Sequence, residues 1–235
     1  MAFDENSFEL IEEKIKYKFK NASLLRQALT HSSYVYERKM PKQSSNERLE
    51  FLGDSLLGFV MARIVFDLFP AEAEGVISKI KAYWASAKVL STIAEEIGIQ
   101  KTLLLGGGEE KSGGRNNGRN LANAFEALLA AVYLDGGTKN AEALIKRLFK
   151  KKIQKNGIKV IFLDYKTHLQ ELFQDKYKDK PIYLTEFKKD HFISKAVFRG
   201  KVIGRGKGLS KKDAEQEAAK FALEKIEKRK RGSDV

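Results

Sequence analysis

The chain has 235 residues, with 44 Lys and Arg against 31 Asp and Glu, which gives a formal net charge of +13 at pH 7. This length fits one large domain or two unequal ones, and 43% hydrophobic residues supply enough apolar material to exclude a disordered polyelectrolyte. The lack of cysteine excludes disulfides, cysteine-based zinc sites and thiol catalysis. There is no apolar run of transmembrane length, and the acidic start is unlike a secretory signal. We therefore expect a soluble, cytoplasmic protein with no membrane association and an anionic partner.

The first two thirds of the chain is predicted to be all helical, because apolar residues recur at helical spacing. Ser45 is the predicted N-cap of the third helix, and Gly136 and Gly137 are the predicted end of the fifth. The glycine-rich stretch 103–120 is predicted as a loop or a glycine-broken excursion. The predicted helices cover residues 10–19, 23–39, 45–69, 74–98, 120–137 and 140–155.

The last third has a different pattern, which predicts a small α+β domain of order α-β-β-β-α. A helix is followed by three strand-like runs and a final helix, with a tight hairpin at Gly200 and Lys201. From Val160 onward there are 19 Lys and Arg against 12 Asp and Glu, so positive charge is denser here than in the first part. The predicted elements are a helix at 165–177, strands at 182–188, 191–199 and 201–206, and a helix at 210–230. Residues 153–162 have no strong helical period, so the predicted division is domain 1–155, linker 156–162 and domain 163–230.

Three carboxylates lie in the predicted third helix, Glu47, Glu50 and Asp54, at spacing i, i+3 and i+7. This spacing places them within about 60° on one helix face. A stripe of this kind is usually a solvated face. This helix, however, is apolar nearly all round, which is typical of a buried helix, and the same face continues with Phe51, Gly58 and Met61. Buried carboxylates are costly without a partner, so we expect a metal ion or a basic group beside them.

A second apolar helix carries Glu126 on the same face as Asn123. Two helices that both offer oxygen ligands are typical of a metal site in a helical bundle, and oxygen ligation favours Mg²⁺ or Mn²⁺. The three histidines are too dispersed for a local metal motif, and nothing supports a Ser-His-Asp triad, although spacing does not exclude one. The segment GRGKG does not match a nucleotide-binding loop.

These residues resemble the ribonuclease III family. The segment NERLEFLGDS at 46–55 is similar to the family's signature, and LTHSSY, EGVISKIKA and NAFEALLAAVYLDGG occur in the family's order. The last third resembles a double-stranded-RNA-binding domain through DYKTHLQE and GKGLSKKDAEQEAA. The resemblance implies a magnesium-dependent endonuclease, homodimeric through its helical domain, that cuts double-stranded RNA. It also implies 5′-phosphate and 3′-hydroxyl products, and a role in processing rRNA, tRNA and mRNA.

By position, the resemblance implies that Glu50, Asn123 and Glu126 are metal ligands and that Asp54 and Glu126 are the residues most needed for catalysis. Glu47 and Glu74 resemble further acidic residues of the cleavage valley. The chain departs from the family at Asn123, where aspartate is usual. An amide oxygen can bind a hard cation but carries no charge, so the sequence leaves open how much activity remains.

The RNA-binding prediction depends first on Ser210 and Asp213, which fit a capping box that opens the last helix. Lys211 and Lys212 follow in its first turn, where ammonium groups and free N–H groups together predict a phosphate site. Lys207, placed in the preceding glycine loop, adds to this site. The resemblance assigns minor-groove contacts to Thr167, Gln170, Glu171 and the loop at His191. Where the family has Gly-Pro before that histidine, this chain has Lys188–Asp190.

The predicted function is thus a metal-dependent endoribonuclease. One alternative is a catalytically silent RNA-binding homologue, which Asn123 favours and the retained acids oppose. A second is a helical nucleotide hydrolase, which the basic second domain opposes because small substrates need no such surface.

Overall fold

The structure is a computed structural model that describes residues 5–161 and 165–231. The chain divides into two compact units, residues 1–155 and 156–235. The prediction of a non-helical linker at 156–162 is wrong up to Ile161, because the helix that begins at Gly118 continues that far. The side chain of Ile153 is fully buried, and this packing holds the helix at the point where the sequence pattern weakens. Residue 162 of the predicted linker and residues 163–164 of the predicted second domain lie outside the described residues.

The first unit is helical, as predicted. The helices are α1 (Glu5–Ile15), α2 (Ala22–Ala28), α3 (Ser32–Glu37), α4 (Glu47–Leu68), α5 (Glu74–Trp84), α6 (Ala87–Glu96), α7 (Ile99–Thr102), α8 (Gly107–Lys111) and α9 (Gly118–Ile161). The glycine-rich stretch holds α8 and a 3-10 turn at Gly114–Asn116, which confirms a glycine-broken excursion.

Three predicted details of these helices are wrong. The predicted helix 23–39 is divided into α2 and α3, because His31 is extended and its side chain accepts from the Ser33 N–H to cap α3. The predicted helix 74–98 is interrupted at the extended Ser86, which precedes α6. The N-cap of α4 is Asn46 rather than Ser45, whose hydroxyl instead donates to the Glu47 carboxylate at 3.3 Å.

The break at Gly137 in α9 shapes the core of the first unit. Gly137 has φ 77° and ψ 176°, outside the helical region, so the predicted end of a helix at this point is confirmed. A straight helix would separate Phe125 from Phe149 by about 36 Å, yet their ring centroids are 6.1 Å apart. The two halves of α9 therefore fold back on each other. Both rings are fully buried.

Helix α4 is buried on one side only, so the expectation of a helix buried nearly all round is wrong for the single chain. Leu57 and Met61 are in the core. Phe51, Phe59 and Phe66 are instead exposed, at 76%, 63% and 69% of their surface. Their spacing places these three rings on one face of the helix.

The second unit has the predicted order of elements. They are α10 (Tyr165–Tyr177), β1 (Ile182–Lys188), β2 (His191–Phe198), β3 (Lys201–Gly208) and α11 (Lys211–Arg231). The strands form an antiparallel sheet of order β1-β2-β3. Because Phe198 pairs with Lys201, the second hairpin turn is Arg199–Gly200, one residue earlier than predicted. Both turn residues have positive φ, 49° and 75°, as a two-residue turn of this kind requires.

The segment GRGKG explains how α11 packs on the sheet. A Cβ on Gly204 would lie 2.1 Å from the Ala218 carbonyl oxygen, and one on Gly206 would lie 2.2 Å from the Ala218 nitrogen. Side chains at these positions would push the helix away. The glycines of β3 therefore serve close packing, with Leu169 and Phe173 of α10 completing the core. No helix in the described ranges is both long and apolar enough to cross a membrane.

Candidate active site

The site in the first unit begins with a backbone contact between α4 and α9. A Cβ on Gly53 would lie 1.8 Å from the carbonyl oxygen of Glu126, so only glycine fits at this crossing. Glu50 precedes Gly53 by almost one helical turn, and Asp54 follows it directly. The close approach of the two backbones therefore brings carboxylates from both helices together.

These side chains line one open cavity of about 460 Å³. It brings together five of the residues predicted from the sequence, Glu47, Glu50, Asp54, Asn123 and Glu126. Its other lining residues are His31, Ser32, Asn46, Phe51 and Arg119. Glu74 is not among them. It begins α5, where its carboxylate accepts from the Ser78 hydroxyl at 2.7 Å.

The cavity holds its carboxylates in an environment that disfavours negative charge. Burial, followed by the charges of Asp54 and Glu50, raises the pKa of Glu126 to about 7. Burial and the charge of Glu47 also raise the pKa of Glu50, against the opposing effects of Arg119 and of a hydrogen bond from Asn123. A cation bound here would relieve this repulsion.

Asn123 acts as a donor in this arrangement. Its side-chain hydrogen bond lowers the pKa of Glu50, so the amide stabilises the charged carboxylate. With the amide nitrogen directed to Glu50, the amide oxygen is left as the group that can bind a cation. The residue thus links the two helices whether or not it is a metal ligand.

In the second unit, the start of α11 has the predicted cap. The Ser210 hydroxyl accepts from the Asp213 N–H at 3.1 Å and donates to the Asp213 carboxylate at 2.7 Å. Lys211 and Lys212 are exposed in the first turn that follows. Lys207 is also exposed but lies within β3, paired with Ile193, so its placement in a loop was wrong.

The other predicted RNA-binding residues lie on α10 and at the first hairpin. Thr167, Gln170 and Glu171 share the face of α10 opposite the buried Leu169. His191 is the first residue of β2, after a two-residue turn, and its Nδ1 lies 2.6 Å from the Asp190 carboxylate. The turn is short because Lys188 pairs directly with His191.

Comparison with known proteins identifies both units. A family model described as "Ribonuclease-III-like" matches residues 21–153, more than half of the chain. The chain belongs to the ribonuclease III family. A second model, "Double-stranded RNA binding motif", matches residues 165–226.

Relatives named Ribonuclease 3 match this family member over nearly their full length. The protein from Syntrophotalea carbinolica is 42% identical, covering 95% of this chain and 99% of the relative. The protein from Caldanaerobacter subterraneus is 43% identical, covering 92% of this chain and 96% of the relative. The solved nuclease domain of ribonuclease III from Campylobacter jejuni is 35% identical with a TM-score of 0.58, covering 63% of this chain and 97% of that domain.

The donor set of this ribonuclease III family member suits a hard divalent cation. Glu50 and Glu126 are partly buried carboxylates, and Asn123 adds an amide oxygen. Among the described residues, no three His, Cys, Asp or Glu side chains are grouped so that they could hold a metal ion. The remaining ligands would be the amide oxygen, water or RNA phosphate.

Five lining residues were not predicted as site residues, among them Arg119 and Asn46. Arg119 precedes Asn123 by four residues, and this spacing on α9 was the signal that could have identified it. Asn46 is only 2% exposed, and its side-chain nitrogen has no hydrogen-bond partner among the residues described. No sequence signal distinguishes this asparagine from an ordinary N-cap.

Proposed function

We infer that this protein is an endoribonuclease that hydrolyses double-stranded RNA with the help of a divalent metal ion. The observation that carries this inference is the cavity at the crossing of α4 and α9, where Glu50, Asp54 and Glu126 come together in a ribonuclease III fold. The basic second unit, a double-stranded-RNA-binding motif, supplies the matching substrate surface.

In the proposed mechanism, Glu50, Glu126 and the amide oxygen of Asn123 hold the cation, which is Mg²⁺, with Mn²⁺ as a substitute. When bound, the cation supplies Lewis-acid stabilisation of phosphate charge and lowers the pKa of water. Burial and the charges of Asp54 and Glu50 raise the pKa of Glu126 to about 7 without metal, and a bound cation would hold its carboxylate in the charged form that a ligand requires. Asp54, exposed in the cavity wall, orients the attacking water. The products expected of the family carry 5′-phosphate and 3′-hydroxyl ends.

The second unit is proposed to recognise the duplex by its shape. Duplex RNA presents two successive minor grooves with the major-groove phosphates between them. In this proposal Lys207, Lys211 and Lys212 contact phosphates. The minor-groove contacts come from Thr167, Gln170, Glu171 and His191.

We also propose that the protein is a homodimer through α4. Phe51, Phe59 and Phe66 form an exposed apolar stripe that a second copy would cover. A second solved nuclease domain of ribonuclease III from Campylobacter jejuni is described as flexible in a region involved in dimer formation. Dimer formation by that similar domain supports a dimer here, and the exposed stripe of α4 is the surface that we propose for it.

The decisive experiment is incubation of the purified protein with long duplex RNA, with and without magnesium. Cleavage that requires magnesium and spares single-stranded RNA is the expected result. Binding of the duplex without cleavage at any metal concentration would instead favour the catalytically silent homologue. The Glu126→Gln variant controls for a contaminating nuclease, because it should bind the duplex and leave it intact.

A further inference from the structure

The cavity at the crossing of α4 and α9 is also lined by a basic residue, Arg119. Arg119 precedes Asn123 by four residues and Glu126 by seven, so the three share one face of α9. Among its lining residues, Arg119 is the sole Lys or Arg.

Within the fold, Arg119 acts on Glu50 through its charge, which lowers the pKa of that carboxyl. Two other arginines of the first unit have carboxylate partners: Arg115 pairs with Glu110, and Arg63 with Glu142. Within the described ranges, the Arg119 guanidinium forms no ion pair within 4 Å. Its backbone N–H, rather than its side chain, secures the first turn of α9 by donating to Asn117 Oδ1 at 2.9 Å. A cation in this turn also opposes the helix dipole, so the side chain does not stabilise its own helix.

The negative charge of the cavity suggests a role for Arg119 in binding RNA. An RNA backbone that enters a cavity lined by Glu47, Glu50, Asp54 and Glu126 is repelled at close range. A guanidinium offers paired N–H donors that match two oxygens of a phosphate, and it stays charged at any working pH. Asn46, in the same cavity wall, carries a second donor without a partner among the residues described.

We propose that Arg119 binds a backbone phosphate next to the scissile bond and thereby offsets the repulsion between the RNA and the carboxylates. This inference rests on the proposed function. It makes Arg119 a substrate-binding residue of the cleavage site, separate from the lysines of the second unit, and it assigns the contact to a single guanidinium.

The first test is single-turnover cleavage of a long duplex at saturating magnesium. Arg119→Gln should cleave roughly 10- to 100-fold more slowly, the usual effect of losing a hydrogen bond to a charged group. Arg119→Lys should cleave at an intermediate rate, because it keeps the positive charge but loses the paired N–H donors of the guanidinium. Arg63→Gln, which removes an arginine from α4 outside the cavity, is the matched control and should cleave at the parental rate. A parental rate for Arg119→Gln would overturn the proposal.

The second test does not need cleavage. Short duplexes that end in a 5′-phosphate or a 5′-hydroxyl are compared by fluorescence anisotropy, with calcium replacing magnesium. The parent should prefer the 5′-phosphate several-fold, and Arg119→Gln should lose the preference while its melting temperature stays unchanged. No preference in the parent, or a preference retained in the variant, would refute the role of Arg119. If the parent shows the preference but never cleaves, the proposed function fails and the phosphate contact stands.

Discussion

The α4–α9 crossing and the β3–α11 contact both depend on glycine, but the first lies beside carboxylates and the second beside lysines. In each, glycine lets two backbones approach to a distance that any side chain would prevent: Gly53 against Glu126, and Gly204 and Gly206 against Ala218. The first contact gathers carboxylates in a partly buried cavity, whereas the second leads into a helix start with exposed lysines.

The difference shows what each surface can do. Burial and mutual repulsion raise the pKa values of Glu50 and Glu126, and a bound cation would relieve both effects. Exposed lysines keep their hydration and act through charge alone, so they suit reversible binding of phosphates. Changes in the first region should therefore affect cleavage, and changes in the second should affect binding.

Removing one carboxylate should give the largest effect. Glu126→Gln or Asp54→Asn should reduce cleavage roughly 1000-fold or more, because each keeps the shape and loses the charge needed for metal and water. Duplex affinity, measured in calcium, should change little, since the second unit carries the binding. Cleavage near the parental rate by either variant would show that the site is misplaced.

Adding a methyl group to each glycine contact tests the comparison directly. Gly53→Ala should destabilise the first unit by roughly 3 kcal/mol, because the new Cβ would overlap the Glu126 carbonyl. Gly75→Ala, in α5, is the matched control, as nothing lies within 4 Å of its Cβ, and it should be neutral or slightly stabilising. Gly206→Ala should instead destabilise the second unit. Thermal unfolding with separate probes measures all three, and equal stability of the Gly53 and Gly75 variants would refute the crossing.

The lysines at the start of α11 should determine the salt dependence of binding. Changing Lys211 and Lys212 together to Ala should flatten the slope of log affinity against log salt by roughly 1 to 2 units. Lys220→Ala with Lys225→Ala, later on the same helix, removes equal charge and should leave the slope nearly unchanged. Equal affinity of the parent for single- and double-stranded RNA would contradict recognition by shape.

The raised pKa of Glu126 predicts a pH-dependent stability in the absence of metal. The folded state holds this proton up to a pH of about 7, above the ordinary value of 4.5. The stabilisation is thus present at low pH and is lost as the pH rises to about 7. After allowance for solvent screening, the loss should be about 1 kcal/mol. Denaturant unfolding at pH 5 and pH 8 measures it, and Glu126→Gln should remove most of the difference.

Much of this architecture could be predicted because it depends on local pattern. The period of apolar residues located α4 and both halves of α9, and alternation located the strands. The spacing of Glu50 and Asp54 also placed them on one face. Gly53 could not be recognised, because the need for glycine arises only where a distant carbonyl meets it.

The other differences between the predicted and the observed structure also concern features that the period of apolar residues does not encode. The exposed Phe51 belongs to a pattern that resembles a buried helix, since apolar period alone does not distinguish a core from a surface that another chain can cover. The side-chain cap at His31 divided one predicted helix. The spacing of Arg119 and Asn123 predicts that they share a helix face, but the cavity that joins Arg119 to the carboxylates of α4 depends on the crossing of the two helices.

The finest distinction concerns Asn123, which donates to Glu50 in the structure and offers its oxygen to a cation. Asn123→Asp should lower the magnesium concentration needed for half-maximal cleavage several-fold, because a further carboxylate attracts a divalent cation strongly in a partly dry site. It should also lower stability without metal, since the donor to Glu50 becomes another negative charge.

A magnesium titration of both proteins, with one duplex at one salt concentration, measures the first effect. The Asn123→Ala variant separates the loss of the donor from the gain of charge. Cleavage by the aspartate variant alone would mean that Asn123 inactivates this chain. Identical magnesium curves would show that residue 123 does not contact the metal, and the cation would then depend on Glu50, Asp54 and Glu126.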